Sequence, residues 1–449
     1  MNWTQLLSTK RFGDKEVKPN SETRSRFDQD FDRLIFSHPF RKLQDKTQVF
    51  PLPEDDFVHT RLTHSLEVSS VGRSLGRAAG EFLLQKHPAL SEEGFTIHDF
   101  GSIVGAACLA HDLGNPPFGH SGESAISAFF LNHPDGQFFQ QLVSEKEWED
   151  LSNFEGNAQG FRIMNDEKEG GLALTFATLG AFTKYPKTSS APAVKGRKSQ
   201  KKYGVYRSNF EQFKLMAADM GLVAVGEEAW CRHPLAFLVE AADDICYNII
   251  DLEDGCRLGL VSFEKTKELL AAIIGEKFNE AKLLKIEDQN NKLGMLRALA
   301  IGQLIAECVE VFKAHENAML DAEFDQALTD IIPSAGALNK ISVLSIDKIY
   351  RSKQVLEREA GGFEVIEQLM NAFAQAVYFN FFEKTLFNPR QRSIYLLMDA
   401  SIRLRLEKPD LSVYERLMIV SDFIALLTDS YAIKLYKILN GYSLPTSRG

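Results

Sequence analysis

Apolar side chains recur at helical spacing along most of the chain. Leu62, Leu66, Val71, Leu75, Ala79 and Phe82 follow one another at intervals of three to five residues, the pattern of one helix face turned toward a core. Further helices are predicted at about 99 to 113, 234 to 251, 262 to 274, 294 to 315, 361 to 385 and 412 to 440. No extended series of alternating strands and no repeat period stands out, so the fold class read from the pattern is all-α. Proline supplies the breaks. Pro51 and Pro53 interrupt the N-terminal part, and Pro116-Pro117 must end the helix before them, because proline lacks the N–H and clashes with the preceding turn. The turn therefore follows directly after His111-Asp112.

Composition narrows the picture only in part. The 449 residues allow up to about three domains or one large helical domain. An excess of 61 acidic over 51 basic residues, net −10, repels DNA and acidic membrane at long range. One segment runs against this balance. Thr183 to Arg207 carries eight Lys or Arg from Lys184 onward and no acidic residue, in a loop-like composition. Two readings of it are open: a solvated, mobile basic insertion, or a clamp for polyphosphate or nucleic acid. Five cysteines without a CxxC pair do not make a disulfide framework. The opening MNWTQLLSTKRFG has no apolar signal region and no run approaches 18 apolar residues. A cytoplasmic protein with no membrane span is expected.

Histidine and aspartate on inward faces carry the chemistry. His64 shares a helix face with Val68 and Val71, and His111 continues the stripe of Phe100, Val104 and Cys108. Asp112 adjoins His111, and Asp243 and Tyr247 lie four apart on a strongly apolar helix. Ionised carboxylates in such surroundings, Asp244 among them, need a partner. Two imidazoles and two carboxylates suit a divalent ion such as Mg, Mn, Ni, Co, Fe or Zn. The competing reading for each inward histidine is a hydrogen-bonded core residue. No GxxxxGK[ST], HExxH or GxGxxG segment occurs, which removes support for kinase, zincin and dinucleotide-binding readings.

The order His64, His111-Asp112, Asp243 resembles the H…HD…D signature of the HD-domain phosphohydrolases, an all-α superfamily. The flanking text resembles its bacterial deoxyguanosine triphosphate triphosphohydrolase branch in six ordered blocks: Phe40 to Leu52, Arg61 to Gly76, His111 to Glu123, Asn153 to Met164, Glu240 to Gly255 and Ser421 to Ala432. The resemblance implies an HD-domain helical bundle with additional C-terminal helices, and metal ligands His64, His111, Asp112 and Asp243. It implies His120 and Glu123 as the acid–base pair, and triphosphate contacts from Arg61, Lys184 and Tyr185, with Asn115 also facing the phosphates. Tyr247 would pack on the deoxyribose, and Gln44 or Gln48 would read its 3′-hydroxyl. The role of Glu155, Asn157 and Gln159 is left open. Ala425 to Asp429 reads ALLTD where a Gly-Met-Thr-Asp-like sequence is expected, which leaves base preference open.

The activity implied is metal-dependent hydrolysis of dGTP or other dNTPs to deoxynucleoside and triphosphate. The rival readings are an HD phosphohydrolase for another phosphate ester, such as a nucleoside monophosphate, and a nucleic-acid-binding regulatory protein using the basic segment. Residues 1–260 are expected to form the catalytic core with the basic loop 184–207, and 261–449 a helical region completing the nucleotide site. A homo-oligomer, commonly a hexamer in the family, and single-stranded DNA or a dNTP as effector are further implications of the resemblance.

Overall fold

The computed structural model describes residues 1–14, 24–49, 59–165, 171–192 and 195–442. Helices dominate, and the strands among the described residues are the short antiparallel pair Ala224–Gly226 and Ala229–Trp230. Pro51 and Pro53 lie outside the described residues.

The helices that frame the site begin with Arg61–Lys86 (α1) and Ile97–Ala110 (α2). Thr60 caps α1 and exchanges hydrogen bonds with Thr63, and Thr96 and Asp99 form the same kind of box on α2. The two helices touch along Gly72, Gly76 and Gly80 of α1. A Cβ at Gly76 would lie 2.6 Å from the Phe100 carbonyl oxygen, so a larger residue there would force the pair apart. The close approach sets the ring of His64 on α1 only 5.2 Å, centre to centre, from that of His111 at the end of α2.

The buried face of α1 differs from the predicted stripe. Val68, Val71, Leu75, Ala79 and Leu83 are buried, whereas Leu66 is exposed; the face turns to bury His64 and Ser65 instead. Helix α2 stops at Ala110, short of the predicted 113, because the turn before Pro116-Pro117 already begins at His111. Past those prolines, Phe118 and Gly119 both take positive φ, 64° and 60°. Gly119 is needed twice over, since a Cβ there would also meet the Arg61 guanidinium at 2.7 Å. The chain then enters His120–Asn132 (α3). Gly156–Met164 (α4) and Pro234–Arg257 (α5) follow, the latter starting with proline in its first turn, where the missing N–H costs nothing.

The predicted helix at 262 to 274 is Phe263–Ile274, and that at 294 to 315 is longer, Gln289–Leu320. The helix predicted at 361 to 385 is Lys353–Phe381 (α6), which starts earlier and stops at Phe381, short of 385. The predicted helix at 412 to 440 is two helices, Val413–Ala425 (α7) and Asp429–Leu439 (α8), because Thr428 caps a fresh helix with its side chain. One hydrophobic core gathers α1, α2, α5 and the long helix Gln289–Leu320. A second gathers α3, α6, α7 and α8, joined by Tyr203 and Tyr206 of the basic segment. Residues of both groups line the same cleft.

Candidate active site

A cleft of about 500 Å³ opens between these groups. His64, His111, Asp112 and Asp243 lie on its wall. His64 Nε2 and His111 Nε2 stand 3.4 Å and 3.6 Å from Asp243 Oδ1, so three potential ligand atoms from α1, α5 and the end of α2 converge. His111 Nδ1 is 2.7 Å from the Cys108 carbonyl oxygen, which can only accept. That bond places the proton on Nδ1 and leaves the Nε2 lone pair facing the cleft. Burial would raise Asp243, but His111, His64 and Lys184 outweigh it and hold the carboxyl well below its ordinary range. This donor set suits a divalent cation.

Asp112 stands beside the cluster, with Oδ1 3.6 Å from His111 Nε2. Its oxygens are engaged by Arg61 Nη1 at 2.8 Å and Asn115 Nδ2 at 2.5 Å. Burial pushes its pKa up, and Arg61 and the two histidines more than offset this, keeping it low. Arg61 and Asn115 thus orient a carboxylate next to the cluster while themselves facing the cleft.

Beyond the Pro-Pro turn, His120 Nδ1 lies 2.8 Å from Glu123 Oε2, and the other Glu123 oxygen accepts the Gly156 backbone N–H at 2.8 Å. Glu123 is therefore held from two sides, while the His120 side chain is 85% exposed toward the open cleft. The bond to Glu123 raises the His120 pKa above its ordinary value. The arrangement favours the protonated imidazole, with Nδ1 on a fixed carboxylate and Nε2 toward the cleft, and an imidazole so held can donate a proton.

Cations line the remaining walls. Lys184 is 3.5 Å from Glu240, itself anchored by buried Arg232 at 2.6 Å. Burial works against the Lys184 charge, and Glu240 with nearby carboxylates outweighs it. Lys202 pairs with Glu155 at 3.1 Å, which gives that glutamate a role the sequence alone left open. Tyr185 lies beside Lys184, whose ammonium is 5.8 Å from the ring centre. Tyr247 stacks on Tyr350, ring centres 5.5 Å apart, and the Tyr350 hydroxyl donates to Asp251 at 2.5 Å. Burial pushes Asp251 up to about 7.

Of the two glutamines, Gln48 lines the cleft, with a buried Oε1 that has no partner among the described residues. Gln44 is exposed on the short turn Leu43–Asp45, outside the cleft lining, because that turn points its side chain to solvent. The basic segment is no free-standing arm. Lys187, Thr188, Ser199, Gln200, Tyr203 and Tyr206 are buried in it. Lys198 meets Asp330 at 2.6 Å and Arg207 meets Glu228 at 2.9 Å, so acidic residues from elsewhere answer its charge. Lys184 and Lys202 are the ones that reach the cleft. Pattern reading missed Phe118, Tyr350, Val355, Arg358 and Glu359, which also line it. Phe118 sits inside the block His111 to Glu123 but had no role assigned there, and Tyr350, Val355, Arg358 and Glu359 come from Ile346–Tyr350 and α6, which reach the site only through tertiary packing.

Residues 61–151 match the model of the HD domain, and residues 334–438 that of the phosphohydrolase-associated domain. A deoxyguanosinetriphosphate triphosphohydrolase-like protein of Synechocystis sp. is 39% identical over 99% of this chain and 100% of its own. One of Pseudomonas aeruginosa is 38% identical over the same shares. A deoxyguanosinetriphosphate triphosphohydrolase of Yersinia pestis is 30% identical over 92% of this chain and 93% of its own. No helix among the described residues is long and apolar enough to cross a membrane. With relatives this similar along nearly its whole length, and an HD match that spans His64, His111, Asp112, His120 and Glu123, the chain belongs to the deoxyguanosinetriphosphate triphosphohydrolase-like family of HD-domain phosphohydrolases.

Proposed function

We propose that this phosphohydrolase cleaves deoxynucleoside triphosphates between O5′ and the α-phosphorus, releasing deoxynucleoside and intact triphosphate. The observation that carries the reading is the His120–Glu123 pair opening onto the same cleft as the His64, His111 and Asp243 cluster, with Arg61, Lys184, Lys202 and Arg358 around it. The Yersinia pestis relative bears the name of this activity.

The side chains divide the work. His64, His111 and Asp243 would hold a divalent ion, with Asp112 next to them as the fourth candidate ligand. Such an ion, when bound, supplies Lewis acidity and positive charge at the phosphate. Arg61, Lys184 and Lys202 offset the charge of the polyphosphate and keep it in one place as water is displaced. His120 donates its proton to the departing O5′, which would otherwise leave as a poor alkoxide, and Glu123 keeps the ring charged and aimed. Gln48 presents an unpaired acceptor suited to a sugar hydroxyl, and Tyr247 a flat wall backed by Tyr350. Together they crowd the 2′ position and favour deoxyribose.

The test is to incubate the metal-loaded protein with each dNTP, the matching rNTPs and dGMP in ¹⁸O-labelled water, and to identify products by chromatography and mass spectrometry. Deoxynucleoside plus triphosphate carrying the label is expected, with rNTPs turned over poorly. Release of orthophosphate or pyrophosphate would place the cleaved bond elsewhere. Turnover of dGMP alone would assign the cleft to monophosphates.

A further inference from the structure

The corner between α7 and α8 grips the catalytic turn from behind. Lys46, 2% exposed, sends its ammonium to the Ala425 carbonyl at 2.6 Å and the Asn115 carbonyl at 2.7 Å. Four residues after Ala425, the carboxylate of Asp429 is 3% exposed and accepts from three places. Its Oδ1 takes the Phe118 backbone N–H at 3.1 Å, and its Oδ2 takes the Thr47 backbone N–H at 3.1 Å and the Arg358 guanidinium. These donors belong to three separate walls of the cleft. Thr47 precedes Gln48, Phe118 stands two residues before His120, and Arg358 lies on α6.

Phe118 is where this matters most. It is a bulky non-glycine residue at φ 64°, a strained conformation that persists only where surrounding contacts hold it. Asp429 supplies the hydrogen bond to its N–H. Its ring is wedged against α6, where a Cβ on Gly362 would come within 2.5 Å of Phe118 Cγ, and Arg358 sits 5.6 Å above it. The bend at Phe118 and Gly119 sets the direction in which α3 starts, and hence where His120 points.

We propose that Asp429 is a positioning residue for the proton donor. Through Phe118 it fixes the turn that aims His120, and through Thr47 and Arg358 it ties the same corner to two other cleft walls. The ALLTD segment thereby acquires a role, and so does the phosphohydrolase-associated domain: it completes a site whose proton donor lies in the HD match. The proposal rests on the reading of His120 as that donor.

Asp429→Asn keeps the shape but leaves one acceptor oxygen for three donors and turns an amide N–H against them. Measured per folded molecule, with the folded fraction read by circular dichroism, kcat with the best dNTP should fall about 10²-fold. The alkaline limb of its pH profile should also move to lower pH as the His120–Glu123 pair loosens. Asp422→Asn is the control, since Asp422 is an equally buried carboxylate of α7 bonded to Arg162, Arg405 and Gln159. It should lower Tm comparably while leaving the limb in place. Lys46→Met, which removes the ammonium that bridges Asn115 and Ala425, gives a second variant if Asp429→Asn does not fold, with the same displacement expected. Histidine NMR of the metal-loaded wild type and variants reads the His120 pKa without turnover, so the outcome stands even if dNTPs prove not to be substrates. A folded Asp429→Asn with wild-type kcat and His120 pKa, or equal losses in Asp422→Asn, would overturn the proposal. Absence of triphosphate release by the wild type would instead overturn the functional reading alone.

Discussion

Gly114 offers a sharp test of how tightly the proposed acid–base pair, His120 and Glu123, is built. A Cβ at this position would come within 2.8 Å of Gly160 Cα and closer still to the carbonyl oxygen of Gly156 and the nitrogen of Gly160. All these obstacles are backbone, so no side chain can swing aside. In Gly114→Ala the first turn of α4 must therefore retreat by about 1 Å to reach ordinary contact. Gly156 is the residue that moves, and its N–H holds Glu123 Oε1 at 2.8 Å. A retreat of that size takes the bond beyond hydrogen-bonding distance and frees the carboxylate that aims His120. Misplacement of about 1 Å costs on the order of 10²-fold in rate, and overpacking costs about 1–3 kcal/mol of stability. The expected outcome is kcat lowered about 10²-fold, with a Tm lower by several degrees and metal content unchanged. Steady-state kinetics, differential scanning fluorimetry and elemental analysis read the three quantities. A variant with kcat within threefold of wild type would refute the reasoning, because the clash would then relax without disturbing Glu123.

Asp243→Ala removes the carboxylate shared by both histidines; metal content by elemental analysis and turnover should both collapse, and full occupancy with normal rate would exclude it as a ligand. Glu123→Gln removes the charge that raises His120. The acid form is lost as pH rises through the His120 pKa, so the alkaline limb of kcat should move to lower pH, and an unmoved limb would mean that another group sets it. Lys202→Met should lower kcat/KM about tenfold through a lost charged contact, whereas Lys198→Met, whose ammonium is engaged by Asp330, should leave it unchanged; equal effects would contradict this division of the basic segment. His59 lies 2.8 Å from Asp254 and 3.1 Å from Glu67. Burial opposes its charge, but these carboxylates raise it from 6.5 to about 10. Its stabilising effect is thus full below pH 6.5 and fades as pH rises toward 10. In His59→Ala the fall of Tm over that window should be shallower than in wild type, and parallel curves would count against the assignment.

Local pattern carried the helical fold class because apolar spacing and proline breaks act within a few turns of chain. The helix at Phe263–Ile274 and a break between α2 and Pro116-Pro117 were legible for that reason, although the helix ends at Ala110, before His111-Asp112 and not after it. The buried face of α1 was legible in part: His64, Val68 and Val71 were expected inward and are buried, whereas Leu66 of the predicted stripe is exposed, because the approach of α2 through Gly72, Gly76 and Gly80 sets which face turns in. The single helix expected at 412 to 440 failed on a capping bond at Thr428, a local signal overridden in the reading by the apolar run around it.

The site divides in the same way. His111-Asp112 and His120 with Glu123 are close in the chain, so the members of each pair have little freedom to separate, while their assignment to a site came from the resemblance to the HD-domain family. Tertiary structure decided the rest. Asp243 reaches His64 across 179 residues, Asp429 reaches Phe118 across 311, and Arg358 and Tyr350 enter the cleft from helices with no motif of their own. It also turned the basic segment from a run of unpaired charge into a wall with Lys184 and Lys202 facing inward, since each lysine's role depends on which acidic group lies opposite. Sequence fixes the charges and their local order; only the packing of distant helices fixes the distances between them, and electrostatic and hydrogen-bond energies depend on those distances.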